Sequence, residues 1–559
     1  MTFIDEAVKS PQRATQSYLF AAISATLFFI VGLFTLPGYG YTWDTPENLL
    51  TGAHTANFFA TGNREWLDFA AYDAHYQNKT IPPPPFYNQE FNHPERYPPL
   101  ANVTAVFTHA LFTDQLQLLA DPDGYHLGVL LFATLAVFVL ACFLWQAFHP
   151  VAAIAAVLAL ITYPLFFEHS HNNLKDIPFA ALVLTALWLF WRSQHGHYWR
   201  WIGLSAIATG CALGVRILAM EIWGIVVLAH LPALWAQRSE GWRQALRPLR
   251  GLLLHVPLAL FVFLLSWPWL WADPINRLAS HLAFGQIAFD GARVLYAGQI
   301  YLSGETLPWH YTAVIFLLTT PPLVLLGGVG GVWQALQRSW REQHQAALML
   351  VSLFGVALLR TSLPQIPQYD GIRHMFDGLL AFVGLFGVGT AVFYHWLQQW
   401  RPIQERVFAL ALALCFLPTA GWLVRLHPFQ GIYYNVLAGG VTAVYGQYPQ
   451  AYWGSSFRLA SAWICPNIEP DAVILPRVGG HLLQYYATCE QKIIADEDLF
   501  FLPPEQQVYV VYLTRLDKFD WVVDFTETSL APIYQIVRAE VPIIKIVQTD
   551  VGTLRTGPQ

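Results

Sequence analysis

Residues 126–148 read HLGVLLFATLAVFVLACFLWQAF and contain no Asp, Glu, Lys or Arg. Roughly 20 consecutive apolar residues are enough for a helix to cross the hydrocarbon core of a bilayer, so this stretch predicts a transmembrane helix. Comparable runs lie on both sides of it, near residues 18–36, 151–167, 177–191, 199–215, 219–235, 251–271, 310–333, 345–359, 375–397 and 404–424. The sequence therefore predicts a mainly α membrane protein with about eleven transmembrane helices.

The composition agrees with this class of protein. Hydrophobic residues make up 55% of the chain and charged residues only 12%, against about 25% charged residues in ordinary soluble domains. The formal net charge of -6 provides no broadly basic surface. Nucleic-acid binding and polybasic attachment to a membrane surface are therefore not expected.

Arginine residues recur in the short segments that would join the spans on one side of the membrane. They are Arg192, Arg200, Arg238, Arg243, Arg247, Arg250, Arg338, Arg341, Arg401 and Arg406. Because short cytoplasmic loops collect positive charge, this pattern predicts a multi-pass protein with a cytoplasmic N-terminus. An odd number of spans then places the long segments 37–125, 272–309 and 427–559 on the outer face.

This topology divides the chain into two expected parts. Residues 1–426 form a transmembrane module, in which Thr45–Thr61 and Leu100–Leu119 are predicted helices on either side of a break at Pro82–Pro85. Residues 427–559 are predicted to form a small extracytoplasmic α/β domain, because short β-type runs alternate there with turn-forming residues. These runs are Ala472–Leu475, Val508–Leu513 and Ile543–Val547.

The five cysteines fall into two groups. Cys142, Cys211 and Cys415 lie in apolar runs, where a thiol behaves as a small hydrophobic side chain. Cys465 and Cys489 lie in the predicted outer domain, where oxidising conditions would permit a disulfide. Both the paired and the unpaired state of these two cysteines are compatible with the sequence.

Asp44 and Glu47 follow the first predicted span directly, in the sequence YTWDTPEN over residues 41–48. The pattern is typical of a helix start, with Pro at the first turn and a carboxylate near the positive end of the helix dipole. A positioned carboxylate is also suited to act as a general base toward a hydroxyl group. Because capping and catalysis can coexist at one helix start, Asp44 is a candidate catalytic residue and Glu47 a candidate substrate-binding residue.

A second polar cluster, EHSHNNLKDIP over residues 168–178, joins two predicted spans on the same outer face. Glu168, His169 and His171 are possible metal ligands by residue type, but their spacing matches no recognised metal site. Lys175 could instead neutralise a phosphate, with Asp176 as an orienting or second catalytic acid. This second interpretation fits a lipid-phosphate substrate better, and the sequence requires no metal or other cofactor.

Further charged residues occur at the same predicted depth. Arg96 and Arg373 are candidate phosphate-binding residues, because a guanidinium stays charged and can hold phosphate oxygens in a bidentate manner. Arg216, Asp370 and His374 are possible substrate-binding residues, although interfacial snorkelling would equally explain Arg216. Charged groups at span ends are costly enough to indicate a functional site.

At these residues the chain resembles the GT-C glycosyltransferases, specifically the branch of protein O-mannosyltransferases, lipid A aminoarabinose transferases and their bacterial relatives. The resemblance covers most of the chain and rests on four elements in the family's order: the Asp44 loop, Arg96–Leu100 with Pro-Pro-Leu, Asn173–Pro178 as Asn-x-Lys-Asp-Ile-Pro, and Asp370–His374. The segment after the last span, with His427–Gln430, Tyr433–Asn435, Gly439–Gly440 and Tyr452–Ser456, resembles that of bacterial members.

The resemblance implies a GT-C-like helical bundle in the plasma membrane, which is the inner membrane in bacteria. It also implies inversion at the sugar carbon, with Asp44 activating the acceptor and a polyprenyl phosphate leaving. Asp176 matches the second-loop acid of the family. Many relatives carry an adjacent acidic pair in the first loop, whereas this chain has Asp44-Thr45 and its next carboxylate at Glu47.

The expected function is therefore transfer of a hexosyl or pentosyl group from a polyprenyl-phosphate donor, within membrane lipid, to an acceptor hydroxyl of a protein, lipid or glycan. An alternative is a transporter or flippase for a lipid-linked sugar, in which the same charges would line a translocation path. A third hypothesis, an envelope scaffold, leaves the clustered charges unexplained.

Overall fold

The computed structural model of the 559-residue chain describes residues 11–67, 97–236, 246–287, 291–342, 344–363, 366–450, 453–486 and 490–556. Arg96, the break at Pro82–Pro85 and Cys489 lie outside these residues. Within them the chain is mainly helical, with two small sheets in segments that the charge pattern assigns to the outer face.

The helices before residue 427 follow the predicted apolar runs and the two predicted loop helices, except for α11, which lies in the predicted outer loop 272–309. They are α1 (Pro11–Thr35), α2 (Thr45–Thr61), α3 (Leu100–His109), α4 (Asp123–Ala147), α5 (Pro150–Ile161), α6 (Pro164–Asn172), α7 (Asp176–Ser193), α8 (Tyr198–Leu213), α9 (Glu221–Ala236), α10 (Leu252–Ser266), α11 (Pro274–Ile287), α12 (Tyr311–Thr319), α13 (Pro322–Glu342), α14 (Gln345–Arg360), α15 (Phe376–Trp400), α16 (Glu405–Cys415) and α17 (Leu417–Leu426).

Seven helical segments in the described part of the chain are long and apolar enough to cross a membrane, and the bent pair α5–α6 would make eight. The runs predicted near 199–215 and 345–359 are also helical, but α8 and α14 have only 16 residues each. The several apolar spans of a membrane protein are therefore present. The count of about eleven stays a prediction.

Two of the predicted spans are interrupted by proline in the structure. The run 310–333 is split at Pro321–Pro322 into α12 and α13. The run 151–167 bends by 66° between α5 and α6, just before Pro164. Proline lacks the N–H of the helical ladder and disfavours helical backbone at the preceding residue, so each helix ends there.

The helices differ sharply in how deeply they are packed. The most apolar stretch of each helix shows the difference. In α4, α7 and the segment Arg373–Trp400, 72%, 89% and 83% of this stretch is buried inside the protein. The corresponding shares are 28% for the span of α1, 22% for Leu249–Ser266 and 6% for Glu405–Leu426, whose exposed side chains are largely apolar. Helices with apolar outward faces belong in lipid, so the first three form the centre of the bundle.

Small residues allow α13 and α15 to pack closely. A methyl group at Gly331 would collide with the backbone carbonyl of Leu385, and one at Gly389 would meet the backbone of Gly327 and Gly331. In lipid, helix association depends on such close van der Waals packing because apolar side chains gain nothing by leaving the hydrocarbon.

Both sheets lie in segments predicted to be outside. Strands β1 (Arg293–Tyr296) and β2 (Gln299–Leu302) form an antiparallel hairpin that the sequence interpretation missed. The second sheet has the order β4-β3-β5-β7-β6, with β3 (Val473–Arg477), β4 (Lys492–Ile493), β5 (Gln507–Leu513), β6 (Tyr534–Arg538) and β7 (Val541–Asp550). Strands β3, β4 and β5 run parallel, whereas β7 is antiparallel to β5 and β6.

Helices accompany this second sheet, as the α/β prediction requires. They are α18 (Gly440–Ala443), α19 (Phe457–Asn467), α20 (Trp521–Ser529) and α21 (Val551–Arg555). The three predicted β-type runs correspond to β3, β5 and β7. The domain boundary at residues 426 and 427 remains a prediction.

The cysteines divide as the sequence suggested. Cys142, Cys211 and Cys415 are free thiols on helices, and Cys142 is completely buried. Cys465 on α19 is disulfide-bonded, whereas Cys489 lies outside the described residues. A disulfide in this segment agrees with its predicted extracytoplasmic position.

Candidate active site

Asp44 occupies the position just before the first turn of α2, but its side chain does not cap the helix. Its Oδ2 lies 3.1 Å from Arg373 Nη2 and 3.8 Å from Lys175 Nζ, and its side chain is 25% exposed. Burial raises the pKa of Asp44, but the positive charges of Lys175 and Arg373 outweigh this effect and lower it to about 2. The carboxylate is therefore ionised, accessible and bound to the two best phosphate-binding candidates rather than to the helix end.

Lys175 is a buried cation at the start of α7. Its Nζ lies 3.3 Å from the centre of the Tyr97 ring, a cation–π distance, as well as near Asp44. Burial lowers the pKa of Lys175, while the charges of Asp44 and Glu47 act in the opposite direction. Glu47 is buried in the first turn of α2 and thus contributes to the electrostatic surroundings of this ammonium group.

Asn173 shapes the turn that carries Lys175 and Asp176. Its side-chain Oδ1 accepts hydrogen bonds from the backbone N–H groups of both residues, at 3.2 and 2.9 Å. Its Nδ2 donates to Asp176 Oδ2 at 2.8 Å. An asparagine that binds the backbone two and three residues onward is a common means of fixing a turn before a helix, so Asn173 orients both charged side chains.

Asp176 is almost completely buried and holds two arginines. Its Oδ1 lies 2.8 Å from Arg216 Nη2, and its Oδ2 lies 3.7 Å from Arg373 Nε. Arg216 is thus directed inward to an acidic partner instead of snorkelling to the interface. The contacts of Asp176 are those of a group that positions cations.

Arg373 lies at the centre of the cluster and is 4% exposed. Besides Asp44 and Asp176, its guanidinium contacts Asp370 Oδ2 through Nη1 at 3.3 Å. The rings of Tyr369 and Trp453 lie 5.0 and 5.1 Å from its central carbon. Its Nε has no hydrogen-bond partner among the described residues, so one donor remains for another acceptor.

The segment 369–374, which carries Arg373, is held by bonds from neighbouring helices. Asp370 has a φ of +55°, an uncommon conformation for a residue other than glycine that aspartate tolerates better than most. The N–H of Gly371 donates to Tyr311 Oη at 3.0 Å, and the carbonyl of His374 accepts from Arg360 Nη2 at 2.9 Å. The His374 ring packs edge-on against Tyr369 instead of contacting Asp44.

The three weak metal candidates point to different partners. Glu168 accepts a hydrogen bond from the N–H of Gly431, and His169 Nδ1 lies 2.8 Å from the Asn173 side-chain amide. His171 Nε2 lies 2.8 Å from Thr35 Oγ1, which joins α6 to α1. In the part of the chain that the structure describes, no group of three or more His, Cys, Asp or Glu side chains could hold a metal ion.

The structure thus brings together seven of the candidate site residues predicted from the sequence, namely Asp44, Glu47, Lys175, Asp176, Arg216, Asp370 and Arg373. Arg96 lies outside the described residues, but the adjacent Tyr97 is in the cluster. Tyr97 lies in the Arg96–Leu100 motif and Trp453 in the Tyr452–Ser456 motif, so the sequence could have indicated both residues as part of the site. Arg515, which contacts Asp370 at 2.6 Å, belongs to no motif and was missed.

The arrangement combines an accessible carboxylate with neighbouring cations in a largely buried setting. Such a carboxylate can accept a proton from a hydroxyl group, and buried lysine and arginine side chains can stabilise a phosphate. The carboxylate and the cations lie where the charge pattern places the outer end of the spans.

Comparisons with known proteins agree with this fold. Residues 96–270 match a family model described as dolichyl-phosphate-mannose-protein mannosyltransferase. The structure is similar to ArnT from Cupriavidus metallidurans in the apo state, with 16% identity and a TM-score of 0.50 over 98% of this chain and 100% of that one. The same protein bound to undecaprenyl phosphate gives 15% identity and a TM-score of 0.50 over 97% and 99%.

A more distant similarity is to the archaeal oligosaccharyltransferase AglB from Archaeoglobus fulgidus in complex with an inhibitory peptide and a dolichol-phosphate. It has 10% identity and a TM-score of 0.45 over 97% of this chain and 77% of that one. No curated protein sequence matches the chain. The chain therefore has a fold similar to that of ArnT over its full length, and this similarity and the partial family match agree with the resemblance to the GT-C glycosyltransferases.

Proposed function

We propose that this protein is an inverting glycosyltransferase that moves a sugar from a polyprenyl-phosphate donor to a hydroxyl group on the outer face of the membrane. The observation that carries the proposal is the contact of one accessible carboxylate, Asp44, with two buried cations, Lys175 and Arg373. The similarity to a protein crystallised with undecaprenyl phosphate supports a lipid-phosphate donor. The family resemblance supports inversion and a bacterial inner-membrane location.

In the proposed reaction, Asp44 accepts the proton of the acceptor hydroxyl as its oxygen bonds to the anomeric carbon. The bond from that carbon to the phosphate oxygen breaks on the opposite side, and its electron pair leaves with the polyprenyl phosphate. Lys175 and Arg373 stabilise this anion, so the step needs neither a general acid nor a metal ion. Asp176 holds Arg373 in place, and Arg216 pairs with the other oxygen of the Asp176 carboxylate.

The test is incubation of the purified protein in detergent with a panel of undecaprenyl-phosphate sugars, followed by measurement of released undecaprenyl phosphate. We expect one donor to be consumed when a suitable hydroxyl acceptor is present. In the transporter alternative, reconstituted vesicles would move labelled lipid across the bilayer while every sugar–phosphate bond stays intact. That result would reject the transferase.

The pH dependence should reveal how the donor changes Asp44. Without donor its pKa is about 2, so the ion pairs are present at pH values above this and are lost only as pH falls through it. A bound phosphate would offset the positive charges of Lys175 and Arg373 and thereby raise the pKa of Asp44. We therefore expect the acid limb of kcat, which reports the donor-bound enzyme, to lie at higher pH than that of kcat/KM.

This prediction is checked by measuring both constants between roughly pH 4 and 8, a range over which an unliganded carboxyl with a pKa near 2 stays ionised. Asp44→Glu serves as the comparison, because it retains a carboxylate in altered surroundings and should shift the limb of kcat. Coincident acid limbs in the two profiles would contradict the proposed coupling between donor phosphate and base.

A further inference from the structure

Arg515 extends from the loop after β5 into the charged cluster. Its Nη2 lies 2.6 Å from Asp370 Oδ1 and 3.2 Å from Asp517 Oδ2, and its side chain is only 8% exposed. The ring of Trp43, the residue before Asp44, lies 5.6 Å from its guanidinium carbon. The C-terminal sheet region thus supplies a buried cation to the same cluster as the transmembrane helices.

Asp370 connects this cation to the candidate active site. One of its carboxylate oxygens contacts Arg515, and the other contacts Arg373 Nη1 at 3.3 Å. Arg373 in turn reaches Asp44 at 3.1 Å. The result is a chain of alternating charges, Arg515–Asp370–Arg373–Asp44, in which each carboxylate is shared between cations.

The turn that carries Arg515 is fixed by the β1–β2 hairpin. Arg293 Nη1 donates to the carbonyl of Phe519 at 3.3 Å, and Lys518 Nζ donates to the carbonyl of Arg293 at 3.3 Å. These bonds attach the hairpin to the C-terminal end of the short helical turn Leu516–Lys518, which directly follows Arg515. The backbone just after Arg515 is therefore held by a second outer segment, while Asp370 and Asp517 hold its guanidinium.

We propose that Arg515 is a positioning residue, which neutralises Asp370 so that Arg373 stays directed toward Asp44 and the donor phosphate. This inference rests on the function proposed above. Without Arg515, the buried charge of Asp370 would lose one of its two cationic partners and attract the other, Arg373, more strongly. Arg373 would then be less available to a phosphate, although its own side chain is unchanged.

The test measures the affinity of purified full-length protein for undecaprenyl phosphate in Arg515→Met, Asp370→Asn and the double variant. We expect Arg515→Met to weaken binding about ten-fold, a magnitude typical of one lost charge-assisted contact. The double variant should regain most of this affinity, because the competing carboxylate is removed as well. Asparagine also tolerates the positive φ of residue 370.

Two further variants separate positioning from simple stability. Arg515→Lys keeps the charge and should stay closer to the wild type than Arg515→Met. Arg477→Met is the matched control: Arg477 also lies in the C-terminal sheet region and pairs with Asp496 and Asp520, but it does not contact the cluster. It should leave binding unchanged.

The inference is overturned if the double variant binds as weakly as Arg515→Met or more weakly, or if Arg477→Met causes an equal loss. Thermal unfolding of each variant shows whether weaker binding accompanies loss of the fold. Failure of the wild type to bind undecaprenyl phosphate or to consume any donor would instead reject the proposed function, so the two failures are distinguishable.

Discussion

Asp44→Asn is expected to lower sugar transfer by about 100- to 10,000-fold, the range that positioned general bases contribute to catalysis. Asparagine preserves the shape of the side chain but cannot accept a proton from the acceptor hydroxyl. Because Asp44 does not cap α2, the helix should not lose a stabilising bond. The measurement is the initial rate of transfer from the donor identified in the panel.

Binding of undecaprenyl phosphate should respond in the opposite direction. Asp44 competes with a phosphate for Lys175 and Arg373, so its neutralisation should leave binding unchanged or tighten it. A variant that binds the lipid phosphate but does not transfer sugar would identify a defect in chemistry. Unchanged turnover would reject the assignment of Asp44 as base.

Asp123→Asn is the matched control for this variant. Asp123 is a buried aspartate at the start of α4, and its partner is Arg458 at 2.6 Å. Like Asp44, it lies at the start of a helix and pairs with an arginine, but its partner is Arg458 and it does not contact Lys175 or Arg373. We expect it to reduce thermal stability without the selective loss of turnover that Asp44→Asn should show.

The success of the fold prediction followed from local signals. An apolar run of membrane length is visible in any short window, and every predicted run is at least partly helical. The interruptions at Pro164 and at Pro321–Pro322 were also visible, yet the runs were predicted as single spans because hydropathy alone was weighed there. The β1–β2 hairpin was missed because its strands have only four residues each.

The site was predictable only in part. Asp44 and Lys175 stood out because each is a charged residue at the end of an apolar run. The contacts of Asp44 with Lys175 and Arg373 join segments far apart in the chain, and such contacts have no local signature. Arg515 illustrates the limit, since it reaches Asp370 across 145 positions from a strand end with an ordinary sequence.

The sequence alone could not decide whether Asp44 caps the helix or acts in catalysis, because the same residue pattern is compatible with both roles. The structure separates them: the carboxylate makes no capping bond and is directed to two cations. Asn173 instead fixes the backbone at the other charged turn. Side-chain direction, which the sequence does not encode locally, therefore decides which acidic residue faces the cations.

Arg373→Met is expected to have the largest effect on donor binding, weakening the affinity for undecaprenyl phosphate by about 100-fold or more. Arg373 is the only described side chain that contacts Asp44, Asp176 and Asp370 together. Its removal would take away a hydrogen-bond donor to the phosphate. It would also leave these three carboxylates without their shared cation. The local potential would then repel an anionic ligand.

The same substitution should also destabilise the protein, because breaking a buried ion pair from one side costs about 3–5 kcal/mol. Adding Asp44→Asn to Arg373→Met removes one of the stranded charges and should recover part of the thermal stability without restoring lipid binding. Arg373→Lys retains the charge but loses the planar fork, so an intermediate affinity is expected. These variants distinguish loss of the phosphate contact from loss of the fold.

Arg458→Met provides the control for Arg373→Met, because Arg458 pairs with Asp123 on the same predicted face but makes no contact with the cluster. It should lose stability while its affinity for undecaprenyl phosphate stays near that of the wild type. If Arg373→Met bound the lipid phosphate as well as Arg458→Met does, Arg373 would not be a phosphate ligand. The donor phosphate would then have to be held by Lys175 without the guanidinium that lies beside it.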